Sequence, residues 1–223
     1  MAKPGRISAS MMCANPFKLA DIIRTLEAEG ISYLHQDIMD GHFVPNLGIS
    51  VDHVRFMRDN TRIPFDFHVM ALEPDNIIPL LEPRPEDVVS IHYESTFQVQ
   101  RTLERTRRYG CKVFIAINPA TSLSSLDEII HYVDGINLLM VNPGFAGQKS
   151  VKSCFDKAER LRKMIESSGR DDIEFEVDGN ISLENAKLLR GIGATLFVAG
   201  TSSIFSADGI VHGNIPNLKA VIE

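Results

Sequence analysis

The sequence has no Trp, three Cys, and no stretch approaching the ~20 consecutive apolar residues that a membrane span needs. With no long apolar run and no basic-then-apolar leader at its start, the chain reads as a cytoplasmic protein with no membrane partner. Cys13, Cys111 and Cys154 are odd in number and lack metal-like spacing, which argues against a disulfide framework and for a reducing compartment. Cys13 is expected to be a small buried hydrophobe. Positive charge is also short: 23 Lys and Arg face 29 Asp and Glu, a net charge of -6. That balance argues against nucleic acid and anionic membrane as main partners. It leaves room for a phosphorylated metabolite, because backbone N–H groups can bind phosphate locally. Linkers, low-complexity tracts and sequence repeats are missing too, so residues 1–223 read as a single domain, a length that α/β barrels reach in one piece.

What the chain has is alternation. Short β-type runs at Ile7–Met12, Tyr33–Met39, Pro64–Met70, Asp87–His92, Lys112–Ile117, Gly135–Val141, Ile173–Val177 and Leu196–Ala199 alternate with segments of helical period. The helical segments are Phe17–Glu29, Val51–Asp59, Asn76–Leu81, Phe97–Tyr109, Leu123–Tyr132, Val151–Ser168, Leu183–Leu189 and Asn214–Ile222. Asn15-Pro16 supplies a helix start and Gly30 and Gly110 supply stops. Eight strand–helix pairs imply parallel strands with helical crossovers, and eight is the number that closes a (β/α)₈ TIM barrel. A doubly wound open sheet is the competing architecture.

The residues able to do chemistry fall at or just after the strand ends, which a barrel would gather at one mouth. In the second run His35, Asp37 and Met39 share one strand face, and Asp66, His68 and Met70 repeat that pattern in the third. His35, Asp37, His68 and Asp178 together offer two imidazoles and two carboxylates, a donor set suited to one divalent ion such as Zn²⁺, Mn²⁺, Fe²⁺ or Co²⁺. Taken singly, each is better read as a histidine or acid satisfied near a loop end; four at four strand ends of a barrel favour the metal. Asp37 and Asp178, on opposite sides of the mouth, could act as base and acid on the two faces of one carbon. Met39 and Met70 would roof the site and exclude water. The loop Asn142-Pro143-Gly144-Phe145-Ala146-Gly147-Gln148, with Gly179 and Gly200-Thr201-Ser202 after the last two strands, suits phosphate held by backbone amides and a helix start. His42, His53, His92, His131 and His212 read as surface or supporting residues.

Several blocks resemble the ribulose-phosphate 3-epimerase family: Ser10-Met11-Met12-Cys13, the twelve residues His35 to Asn46, Phe67-His68-Val69-Met70, Asn142 to Gln148, and Glu176-Val177-Asp178-Gly179. They occur in family order over nearly the whole chain. The resemblance implies a homo-oligomeric (β/α)₈ barrel with one divalent metal that interconverts a ketose phosphate and its C3 epimer through a cis-enediolate. Carried over by position, it makes His35, Asp37, His68 and Asp178 the metal ligands, Asp37 and Asp178 the acid/base pair, and Ser10 and His68 substrate contacts. It puts the phosphate on Gly144, Phe145, Ala146 and Gly147, on Gly179 and Asn180, and on Gly200, Thr201 and Ser202, and it adds Leu139 to the apolar lid. Asn180 stands where a second Gly is usual, and Leu139-Met140, Gln36 and Ala9 also depart from the common pattern. The Ser-x-Met-Cys start and the Gly-Thr-Ser end look more like the allulose-6-phosphate 3-epimerase branch. The substrate is therefore expected to be D-ribulose 5-phosphate/D-xylulose 5-phosphate or D-allulose 6-phosphate/D-fructose 6-phosphate. A metal-dependent hydrolase on the same barrel is a second reading, without a His-x-His pair or bridging Lys in its favour. A non-catalytic phosphosugar-binding protein is a third, and it would not need both acids.

Overall fold

A computed structural model describes residues 4–211 and 213–223; His212 lies outside them. Eight strands close into a parallel barrel in sequence order: β1 (Arg6–Ser10), β2 (Tyr33–Met39), β3 (Phe65–Met70), β4 (Val88–His92), β5 (Lys112–Ile117), β6 (Gly135–Leu139), β7 (Glu174–Asp178) and β8 (Leu196–Ala199). The last strand returns to the first, Ile7 opposite Phe197 and Ala9 opposite Ala199, so the barrel has no free edge. A two-stranded hairpin, β9 (Phe205–Ser206) with β10 (Gly209–Ile210), follows the eighth strand. The open-sheet alternative is thereby excluded.

The helices are α1 (Leu19–Ala28), α2 (Val51–Asn60), α3 (Ile78–Leu81), α4 (Val99–Arg107), α5 (Ser153–Ser167), α6 (Leu183–Ile192) and α7 (Asn214–Ile222). Their starts follow local chemistry: the hydroxyls of Ser50 and Ser182 accept from the N–H of His53 and Asn185 and cap α2 and α6. Leu123–Tyr132, expected as a helix, forms two 3₁₀ turns instead, Leu123–Leu126 and Ile130–Tyr132. Its backbone closes with i→i+3 bonds, Asp127 N–H to the Ser124 carbonyl, Ile129 to Leu126 and Tyr132 to Ile129, and this tighter winding still buries Leu123, Leu126, Ile129 and Ile130. Among the described residues seven α-helices, not eight, therefore cover the barrel. Other boundaries move by a few residues: Met11 and Met12 leave the first strand for the 3₁₀ turn Met11–Cys13, and α6 runs on to Ile192.

Alternation along the strands decides what faces where. One set of side chains, among them Ile7, Leu34, Phe65, Phe67, Val89, Ile91, Val113, Ile115, Ile136, Leu138, Phe175, Val177 and Phe197, joins Ile22, Ile23, Leu26, Met57 and Leu161 of the helices in the main core. The alternate set fills the barrel interior and is largely polar: Ser8, Ser10, His35, Asp37, Asp66, His68, Ser90, His92, Asn137 and Glu176 are all buried. Tyr33, Val88, Phe114 and Leu196, at the strand starts, form a small separate apolar cluster. Among the described residues no helix is long and apolar enough to cross a membrane.

Candidate active site

The register explains the convergence. Asp37 lies opposite His68, Met39 opposite Met70 and His35 opposite Asp66, so β2 and β3 stack three matching layers toward the strand C-termini. Asp178 ends β7 across the barrel. One donor atom from each of His35, Asp37, His68 and Asp178 falls within 4.8 Å of all the others. Asp37 Oδ1 is 3.5 Å from His35 Nε2 and 3.8 Å from His68 Nδ1. Asp178 Oδ2 is 3.8 Å and 3.3 Å from the same two nitrogens.

Each imidazole spends its other nitrogen on a partner behind it. His35 Nδ1 is 2.6 Å from Asp66 Oδ2, which also accepts from the Ser8 hydroxyl at 2.7 Å. His68 Nε2 is 2.8 Å from His92 Nε2, and His92 Nδ1 is 3.2 Å from Glu94 Oε2. The nitrogens that face the carboxylates, His35 Nε2 and His68 Nδ1, are buried and have no hydrogen-bond partner. Two orphaned imidazole nitrogens aimed at two carboxylates are what a divalent cation requires of its ligands. The spacing fits too: metal–ligand bonds of about 2.0–2.2 Å in a tetrahedron put neighbouring donors roughly 3.3–3.6 Å apart.

The electrostatics favour positive charge in the cluster. Burial opposes charge on every group here, yet the neighbours outweigh it: Asp66 and Asp37 hold His35 well above its ordinary value, and His35 and His68 hold Asp37 well below the usual carboxylate range. Glu176, buried beneath His35 beside Asp66, is pushed well above the carboxylate range by burial and by that neighbouring charge. His92 is lowered to about 4, by burial and by the facing His68, and is therefore a neutral ring at neutral pH.

Every residue expected at the site from sequence lines one pocket at the mouth, except His35, which is fully buried in its floor. Ser10 donates to Asp37 Oδ2 at 2.9 Å. Cys13, expected as a buried hydrophobe, is only half-buried and forms part of the wall, its Sγ 3.6 Å from the Ser10 hydroxyl. Met39 and Met70 pack with Val44, Met12 and Phe43 into a lid. Leu139 is buried and lines the pocket at the end of β6, but it stands apart from that methionine cluster.

Opposite the metal-type cluster the wall is mostly backbone. Gly144 and Gly147 take φ of 112° and 77°, and Gly179 takes 105°, so side chains other than hydrogen would strain there. At Gly179 a Cβ would also lie 2.5 Å from a Val141 methyl. Gln148 closes the loop of β6 by donating to the Asn142 and Phe145 carbonyls at 2.7 and 2.8 Å. Asn180, at φ 53°, accepts from the Ser150 N–H and hydroxyl and donates to the Ser202 hydroxyl, tying the loops after β6 and β8 together. The segment after β8 is not a helix start: the Gly200 carbonyl accepts from the N–H groups of Ser203, Ile204 and Phe205 in one tight turn, with Thr201 exposed.

Of the five supporting histidines, His42, His53 and His131 are exposed, whereas His92 is fully buried in contact with His68. Sequence reading missed its partner Glu94 altogether. His92 does repeat the two-residue step from Ser90 on β4, the same inward period that singled out His35 and Asp37. Asn46 shapes the loop without chemistry of its own: its Nδ2 donates to the Gly144 carbonyl at 2.7 Å and bridges the loops after β2 and β6.

Comparison with known proteins agrees with this geometry. A family model described as "Ribulose-phosphate 3 epimerase family" matches residues 6–205. The chain is 34% identical to a ribulose-phosphate 3-epimerase of Bacillus subtilis over 218 residues, 98% of this chain and 97% of that one. It is 35% identical to the ribulose-phosphate 3-epimerase of Escherichia coli K12, over 97% of this chain and 92% of that one. Among solved structures, a 3-keto-L-gulonate-6-phosphate decarboxylase from Vibrio cholerae superposes with a TM-score of 0.72 at 12% identity, covering 99% and 98% of the two chains, a likeness of fold alone.

Proposed function

The chain belongs to the ribulose-phosphate 3-epimerase family, and we propose that it inverts C3 of D-ribulose 5-phosphate to give D-xylulose 5-phosphate with the help of one divalent metal. It is an isomerase-class enzyme, a carbohydrate-phosphate 3-epimerase. The observation that carries the metal-assisted reading is the pair of buried, unpartnered nitrogens His35 Nε2 and His68 Nδ1 facing Asp37 and Asp178. The pentulose phosphate is favoured by the names of the B. subtilis and E. coli relatives.

A divalent ion such as Zn²⁺, Mn²⁺, Fe²⁺ or Co²⁺, when held by His35, Asp37, His68 and Asp178, would stabilise the negative charge that grows on the sugar oxygens. The chain's own residues do the rest. Asp37 takes the C3 proton, with the Ser10 hydroxyl fixing its orientation through Oδ2. Asp178, from the far side of the barrel, returns a proton to the opposite face of the cis-enediolate. His68 and Ser10 contact the sugar from the pocket floor. Met39, Met70 and Leu139 keep water from the intermediate. The backbone of Gly144, Phe145, Ala146 and Gly147, with Gly179, Asn180, Gly200, Thr201 and Ser202, holds the phosphate.

Solvent deuterium entering C3 of ribulose 5-phosphate, and ceasing on treatment with a chelator, is the expected result. Exchange with allulose 6-phosphate alone would move the substrate to the hexulose phosphate, and exchange with neither sugar would overturn the reading. Exchange that survives complete metal removal would overturn the metal requirement.

A further inference from the structure

His68 reaches the acid cluster with Nδ1, and its other nitrogen meets a second imidazole: His68 Nε2 lies 2.8 Å from His92 Nε2. At that distance one ring must donate and the other accept. Which does which is decided one residue further out. Glu94 Oε1 accepts from the Asn118 backbone N–H at 3.0 Å and from the Thr121 hydroxyl. The other carboxylate oxygen, Oε2, faces His92 Nδ1 at 3.2 Å and must receive a proton from it. His92, with its proton on Nδ1, has only a lone pair to offer at Nε2. His68 therefore supplies the N–H, and its Nδ1 is left bare toward Asp37 and Asp178.

We propose that Glu94 and His92 are positioning residues that set the tautomer of His68, holding its Nδ1 lone pair ready for a divalent cation. The inference rests on the metal reading above. The surroundings keep the relay in place: His92 is fully buried, its ring is covered by Phe43 with centroids 4.7 Å apart, and the Ser95 hydroxyl holds its carbonyl at 2.7 Å. His35 reaches the same end in one step, through Nδ1 to Asp66. The two imidazoles thus come to the cluster from opposite ring nitrogens, each with its outer partner fixing the proton.

Glu94→Gln gives the chain a direction that can be reversed. The Asn118 N–H can only donate, so the amide oxygen stays beside it and the NH₂ group falls opposite His92 Nδ1. His92 must then carry its proton on Nε2 and donate to His68, which places the His68 proton on Nδ1, inside the cluster. The test is a ¹⁵N-histidine spectrum of metal-free protein at a pH where each ring holds one proton, with Zn²⁺ affinity measured by chelator competition. In wild type, His68 is expected protonated on Nε2 and His92 on Nδ1; the opposite assignment overturns the proposal without recourse to any variant. In Glu94→Gln, of unchanged side-chain shape, both tautomers are expected to reverse and Zn²⁺ affinity to fall about 10- to 100-fold. Unchanged tautomers with wild-type affinity would overturn the positioning role. Failure of wild type to bind Zn²⁺, Mn²⁺ or Co²⁺ would instead overturn the metal reading, while the spectra would still decide whether Glu94 sets the tautomers.

Discussion

Phe67 and His68 are neighbours on β3 and are equally hidden from water, at 0% and 1% exposure. Phe67 faces outward into the core shared with the helices; His68 faces inward, toward Asp37 and Asp178. The same split runs through Leu34 and His35 on β2, both fully buried. Burial therefore does not separate structural from chemical residues in this barrel wall, whereas the two-residue strand period does. The outer face gains free energy by leaving water. The inner face gives some up, since Ser90, Asn137 and Glu176 hold buried polar atoms without protein partners. Stability and chemistry are carried by opposite sides of the same eight strands.

Substitutions chosen by face should separate the two. Asp37→Asn, on the inner face, is expected to lower turnover by about 10²–10⁴-fold with a thermal midpoint close to wild type; near-normal turnover would remove Asp37 as the base. Phe67→Ala, on the outer face, should destabilise by about 3–5 kcal/mol in denaturant titration while each folded molecule turns over normally. A matching fall in turnover per folded molecule would break the division of labour. Gly179→Ala strains a backbone at φ 105° and drives a methyl toward Val141; it should cost about 1–3 kcal/mol and raise KM for the sugar phosphate more than it lowers kcat. A smaller effect comes from acid. His92 is held down to about 4 from an ordinary value near 6.5 by burial and by His68. Its folded value is the lower one, so its contribution is complete above about pH 6.5 and is lost as pH falls toward 4. Glu94, whose bonds to His92, Thr121 and Asn118 outweigh burial and bring it from 4.5 to about 2, adds a contribution complete above 4.5 and lost toward 2. Melting of the metal-free protein at steps from pH 7 down to about 2 should show the first loss before the second. Met39→Leu conserves volume in the lid and should cost less than about 1.5 kcal/mol; a large loss of turnover would show that the thioether itself matters.

Most of the inner face was legible in the sequence because it is strand-borne. Residues at i, i+2 and i+4 must share a side, and parallel strands must bring their ends to one mouth, so His35, Asp37, His68 and Asp178 could be gathered without coordinates. Departures occur where the period is ambiguous or the contact is tertiary. Leu123, Leu126, Ile129 and Ile130 suit a helical period, so a helix was expected where i→i+3 backbone bonds build two 3₁₀ turns, a choice that apolar spacing alone does not decide. Glu94 lies in a 3₁₀ turn just past β4, where strand alternation no longer assigns a side. Asn46 acquires its partner only because the loops after β2 and β6 meet over the mouth, which neither segment encodes alone. Asn180 could be flagged as unusual, but not that its amide would join Ser150 to Ser202.

The loop between Met39 and Ile49 is moored at four places. Asp40 accepts from the N–H of His42 and Phe43 with one oxygen and from Leu72 with the other, all at 2.8 Å. Asn46 is bonded to the Gly144 carbonyl, and the Ile49 N–H returns to the Asp37 carbonyl at 2.9 Å. At Gly48 the chain passes so close to β2 that a Cβ would lie 2.1 Å from the Asp37 carbonyl oxygen. Surface loops ordinarily absorb insertions and deletions with ease. This one behaves as a ruler: adding or removing a residue shifts every mooring after it and carries Val44 off the methionines. Spelling is looser than length at Leu47, whose side chain is 77% exposed and can be exchanged without moving the chain.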